Sequence, residues 1–151
     1  FWHADGSFSK YDFALPNRNS IEVKSSSKGD KAVDIKHAQL FSLPQKVCLA
    51  SVQVIEDNSG WTVEELIKDM RKDSNICNTL QFEFSLQKEL KRVFPDEVKS
   101  KRFVTNSVHF FLNSSINPFP ILPDNVNGIE YIIDLSESKV LSQDALIEFL
   151  S

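Results

Sequence analysis

Asp12, Glu22 and Lys24 bring two carboxylates and one ammonium into a short, otherwise largely apolar part of the chain. Glu22 and Lys24 belong to the run Ile21-Glu22-Val23-Lys24. An extended backbone sends alternate side chains to opposite faces. Ile21 and Val23 are expected to face the core, and Glu22 and Lys24 to share the other side. Tyr11-Asp12-Phe13 repeats the pattern, with one carboxylate between two aromatics. If these segments pair as a hairpin through Pro16-Asn17-Arg18-Asn19-Ser20, Asp12 comes to lie beside Glu22. Two carboxylates and a lysine on one polar strip make a site for a hard, oxygen-seeking cation with a positive neighbour. Without a cation the two acids repel each other, and one tends to hold a proton. The plainer reading is a surface Glu22–Lys24 ion pair, worth ~0–1 kcal/mol.

The elements that must hold these residues follow from pattern. Residues 1–10 read as a short strand and a turn at Asp5-Gly6, with Trp2 and Phe8 as packing residues. Asp34 is a candidate N-cap for a helix over 35–43, with Ile35, Ala38 and Phe41 on one side and Pro44 as its stop. Residues 47–55 (VCLASVQVI) read as a buried strand, and 56–60 as a turn. Thr62 and Glu65 have the spacing of a capping box, opening an amphipathic helix over 63–72. Further helices are expected over 78–93 and 143–150, and strands over 103–112 and 129–135. Pro118, Pro120 and Pro123 exclude regular structure from 117–123.

The chain has 151 residues, enough for one domain with a real core. Its hydrophobic content of 41% and charged content of 25% are those of an ordinary globular protein. No apolar run approaches the ~20 residues that span a bilayer, so a membrane partner is not expected. The net charge of −4 and pI near 5.4 argue against a stand-alone, non-specific DNA binder. They leave open a local field at a cleft. Cys48 and Cys77 lack metal-ligand spacing and read as reduced thiols of a cytoplasmic protein. The chain starts at Phe1, which suggests a fragment or a processed form.

The pattern Asp12, then Glu22-Val23-Lys24, resembles the signature of the PD-(D/E)XK nuclease superfamily. More of the chain is similar to one bacterial branch, the PD-(D/E)XK motif proteins found with restriction and phage-defence genes. The similar stretches are Trp2-His3-Ala4, Asp12-Phe13, Ile21-Glu22-Val23-Lys24-Ser25, Gln39-Leu40 and Gly128-Ile129-Glu130-Tyr131-Ile132-Ile133-Asp134-Leu135. The signature's leading Pro is Tyr11 here, and no helix carrying a further acid precedes Trp2.

The resemblance implies an α/β, restriction-endonuclease-like fold, with a mixed central sheet flanked by helices and a C-terminal α+β extension. The expected division is a nuclease-like core over 1–75, lacking its first helix, and an extension over 76–151 packed on it. It implies a metal-dependent DNA endonuclease of restriction or phage-defence type that hydrolyses phosphodiester bonds. Asp12, Glu22 and the Val23 carbonyl would hold Mg²⁺, with Mn²⁺ as a substitute. Asp12, Glu22, Lys24 and Gln39 would be the catalytic set. Lys24 would act as a fixed charge at the transition state, and Gln39 would orient water or phosphate. Lys28 and Lys31, in the polar loop after the lysine strand, and Lys36 beyond it would contact phosphates, although a solvated loop explains them too. Partners would be DNA and other subunits of a restriction or defence system. Two alternatives stand: a non-catalytic nuclease-like interaction or scaffold module of a restriction complex, and a metal-dependent phosphodiesterase acting on RNA or branched DNA.

Overall fold

The computed structural model describes residues 11–27, 32–41, 46–73, 83–84, 86–88, 90, 100–116 and 128–151. The strand and turn expected within 1–10, the loop lysines Lys28 and Lys31, and the proline segment 117–123 lie outside the described residues. So does most of 78–93, where 83–84, 86–88 and 90 are helical.

A four-stranded mixed sheet has the order β1-β2-β4-β5: β1 (Phe13–Ala14), β2 (Ser20–Ser26), β4 (Val47–Thr62) and β5 (Arg102–Leu112). Strands β1 and β2 are antiparallel, pairing Phe13 with Ile21 and Ala14 with Ser20. Strands β2 and β4 are parallel, pairing Glu22 with Leu49 and Lys24 with Ser51. A second, two-stranded antiparallel sheet joins β3 (Ala32–Lys36) to β6 (Glu130–Asp134). Among the helices are α1 (His37–Phe41), α2 (Val63–Met70) and α3 (Gln143–Leu150). This is the mixed α/β architecture expected from the sequence.

The contacts divide the chain into one unit of residues 1–53 with 106–151 and a second of 54–105. The reason is pairing across the sequence. Strand β6 zips onto β3 from Ala32↔Asp134 to Lys36↔Glu130. At the β1–β2 turn, the side-chain amides of Asn17 and Asn19 both donate to the Phe149 carbonyl, at 2.9 and 2.8 Å. That carbonyl lies at the open C-terminal end of α3, where intrahelical donors have run out. The core of the first unit gathers Val33, Ile35, Leu40, Val47, Leu49, Phe111, Ile116 and Leu135, with Tyr11.

Three local expectations are corrected. The helix over 35–43 capped by Asp34 is a strand through Lys36 followed by the short α1. Val33 and Ile35 are buried while Asp34 and Lys36 are exposed, a period of two that β6 completes. The turn at 56–60 is a continuation of β4. Gly60 is required there because a Cβ would lie 2.3 Å from the Phe103 backbone. On β2, Glu22 is buried at 2% exposure, whereas Ile21 and Val23 are only partly buried. The carboxylate face, not the Ile21 face, is the covered one.

In the second unit, α2 opens with both halves of the capping box. Thr62 Oγ1 accepts from the Glu65 N–H at 3.1 Å, and the Glu65 carboxylate accepts from the Thr62 N–H at 3.0 Å. Arg102 bridges Glu65 and the Gly60 carbonyl, both at 2.7 Å.

Candidate active site

The β1–β2 hairpin turns over 15–19. The Leu15 N–H donates to the Asn19 carbonyl, and Arg18 takes a left-handed φ of 66°. Continued outward, the register that pairs Phe13 with Ile21 sets Asp12 opposite Glu22. Asp12 is exposed, and its Oδ2 accepts the Val23 N–H at 2.7 Å, which closes the open end of the hairpin.

Glu22 is the centre of the cluster. Its Oε1 accepts from Lys24 Nζ at 2.7 Å and from Gln39 Nε2 at 2.5 Å. Gln39 reaches Glu22 because of where α1 begins. At the third helical position, its Oε1 turns back to accept the Lys36 N–H at 3.2 Å, as in half of a capping box. That bond fixes which end of the amide is the acceptor, so the NH₂ end faces Glu22. The α1 start is held in turn by the His37 N–H, which donates to the Ile129 carbonyl at 2.9 Å.

The electrostatics agree with the crowding. Burial, above all, pushes the Glu22 carboxyl above the ordinary carboxylate range, and the nearby Asp12 charge pushes the same way. The hydrogen bond and charge of Lys24 and the Asp12 backbone N–H oppose this rise. Tyr11, in the place of the signature's proline, is buried. Burial first, and then the Glu22 charge, hold its phenol above its usual range.

Asp12, Glu22, Lys24 and Gln39 therefore share one neighbourhood, with the Val23 backbone bound into it. Lys36 is not in the cluster. Its exposed ammonium lies 3.4 Å from Glu130. It does line, with Lys24, a cavity of about 330 Å³ beside the cluster, formed further by Asp34, Glu130, Tyr131 and Ile132. Tyr131 is fixed there by a 3.2 Å hydrogen bond between its hydroxyl and His37 Nδ1. Sequence reasoning names Tyr11 only as an aromatic flank of Asp12 and as the replacement of the signature's proline, and it misses this cavity. The alternation of Ala32-Val33-Asp34-Ile35-Lys36 was the signal that could have revealed its β3 wall.

Among the described residues no three His, Cys, Asp or Glu side chains form a ready-made metal cage. The donor set available is two carboxylates and a backbone carbonyl. That set suits Mg²⁺, which characteristically takes one or two carboxylates and completes its shell with water and substrate phosphate. The crowding of Asp12 against Glu22 is a second point of fit, since a divalent cation relieves it.

A family model whose description reads "Putative PD-(D/E)XK family member, (DUF4420)" matches residues 1–136. No curated protein and no solved structure matches the chain. With most of its length matched, and with Asp12, Glu22 and Lys24 drawn together at the end of one hairpin, the chain belongs to this family of PD-(D/E)XK type.

Proposed function

We propose that the protein is a metal-dependent DNA endonuclease acting at the Asp12–Glu22–Lys24 cluster. The observation that carries this reading is the burial of Glu22, an acid at 2% exposure, beside a second acid and a lysine. A buried carboxylate with a raised pKa is costly to a fold, and beside a specific charge partner it marks a candidate functional site.

Asp12, Glu22 and the Val23 carbonyl would hold Mg²⁺ or Mn²⁺, which when bound neutralises charge building on the phosphate oxygens. Lys24 brings a fixed positive charge to the same place, 2.7 Å from Glu22 Oε1, where the transition state is most negative. Gln39 is a positioning residue that holds Glu22 Oε1 through α1. Lys36, at the cavity rim, would meet the DNA backbone, and Lys28 and Lys31, outside the described residues, would share that role. A cytoplasmic setting accords with the buried free thiol of Cys48, and partners from a restriction or defence system are part of the same proposal. Among the described residues, no helix is long and apolar enough to cross a membrane.

The test is cleavage of plasmid and linear DNA with Mg²⁺ or Mn²⁺. Asp12→Asn and Glu22→Gln should each abolish it, and Lys24→Ala should cut turnover by ~10²–10³. Cleavage that survives both acid substitutions would place the chemistry elsewhere. The non-catalytic module keeps one point in its favour: Lys24 and Gln39 both end on Glu22 Oε1, a network that is closed within the protein. An inert fold should gain no heat stability from Mg²⁺ or Mn²⁺, which separates the two.

A further inference from the structure

Helix α1 carries Gln39 to Glu22, yet it has little to hold it still by itself. It has five residues, where an isolated helix needs ~12–15 to be stable in water. Neither an acid in its first turn nor a base in its last turn steadies its ends. Its direction is set by distant parts of the chain. At the far end, the Asn113 amide donates to the Leu40 carbonyl at 2.9 Å. At the start, two ties reach His37 from β6 and the residue before it. The His37 N–H donates to the Ile129 carbonyl at 2.9 Å. The His37 ring, through Nδ1, shares a 3.2 Å hydrogen bond with the Tyr131 hydroxyl, and the two rings stand tilted, 6.0 Å apart. Burial holds the Tyr131 phenol above its usual range, so it keeps the proton that it can donate to Nδ1.

A single backbone bond leaves the start of α1 able to turn about the helix axis. The ring bond, made away from that axis, resists the turn. Gln39 lies two positions on, about 200° round the helix, so such a turn would move its amide. That amide is set between the Lys36 N–H, at 3.2 Å, and Glu22 Oε1, at 2.5 Å. We infer that Tyr131 is a positioning residue for Glu22: through His37 it fixes the start of α1, and so the Gln39 amide that holds the carboxylate. The consequence for a bound cation rests on the nuclease reading, whereas the relay itself is made within the metal-free protein.

The test has two readouts. In chelator, nitrogen-15 NMR of the protein should show the Gln39 side-chain amide shifted by its bond to Glu22. Tyr131→Phe, which deletes only the hydroxyl, should move that resonance toward the position of an unbonded amide. The second readout is calorimetric titration with Mn²⁺, counting the binding that Asp12→Asn removes. Affinity should fall about threefold in Tyr131→Phe and about tenfold in Gln39→Leu. In the Gln39→Leu background, Tyr131→Phe should weaken binding no further, because the relay ends at that amide. His37→Asn, which keeps a polar atom near the place of Nδ1, should retain most of the affinity that His37→Ala loses. An unmoved Gln39 resonance, or a Tyr131→Phe effect of equal size with and without Gln39, would overturn the inference. Either of those results beside DNA cleavage that depends on Asp12 leaves the nuclease reading standing. A Gln39 resonance that depends on Tyr131, in a protein that binds no Mn²⁺ and cuts no DNA, sinks the nuclease reading and leaves the relay.

Discussion

Replacing Lys24 with Met should destabilise the metal-free protein well beyond what a surface ion pair contributes. The Lys24 Nζ lies 2.7 Å from Glu22 Oε1, with side-chain exposures of 26% and 3%. At an effective dielectric of ~20, unit charges at that distance attract by about 6 kcal/mol, which sets a ceiling. Removing one partner of a buried pair leaves the other charge uncompensated, at a typical cost of ~3–5 kcal/mol. Two features reduce it here. Lys24 is partly wet, and Gln39 still donates to Glu22 at 2.5 Å. A carboxyl already pushed up by burial can also take a proton, which limits the loss. We expect ~2–3 kcal/mol, or a fall in Tm of ~5–10 °C for a chain of this size. The assay is urea unfolding in chelator of the wild type, Lys24→Met, Glu22→Gln and the double variant. The double variant should recover most of the loss, with a coupling of ~2 kcal/mol, because it leaves no buried charge. A loss below ~0.5 kcal/mol in Lys24→Met, with additive single effects, would refute the reasoning and return the pair to the status of an exposed salt bridge.

Other outcomes follow from the same geometry. Thr62→Ala should cost ~1 kcal/mol in chemical denaturation, since it removes one half of the α2 capping box. The Thr62 N–H and Arg102 hold the Glu65 carboxyl below its usual range, so its contribution is present above the unfolded pKa. That contribution should fade as pH falls through the lower folded value, and Glu65→Gln should flatten this part of the stability–pH curve. Gly60→Ala should cost on the order of 3 kcal/mol or fail to fold, because the new methyl meets the Phe103 backbone. Burial raises the Cys48 thiol to about 11, so a thiol reagent at neutral pH should modify Cys48 only on unfolding; mass spectrometry of the native protein should find it unmodified.

The sequence makes the Asp12–Glu22 meeting legible because it is local. A turn of Pro, Asn and Arg between two short apolar runs brings the segments together without help from the rest of the chain. The α2 capping box is legible for the same reason. What fails is whatever distant parts of the chain decide. Asp34 looks like a helix cap, but Val33 and Ile35 find β6 as a partner, and long-range pairing overrides the local preference. The alternation on β2 identifies two faces but not which one is covered. In the structure, Gln39 on α1 meets Glu22 on that buried side. Asp57-Asn58-Ser59-Gly60 has the composition of a turn, yet Gly60 serves close backbone approach within a strand.

The asparagines of the hairpin turn have a consequence for how the chain is made. Asn17 precedes its partner, Phe149, by 132 positions. During synthesis the turn leaves the ribosome long before the carbonyl that ties it down exists. β3 likewise waits for β6. A nascent chain can form the hairpin that carries Asp12 and Glu22, but it cannot anchor that hairpin through these bonds until residue 149 has been made. The hairpin that carries the two candidate acids is thereby tied down only after residue 149 has been added to the chain.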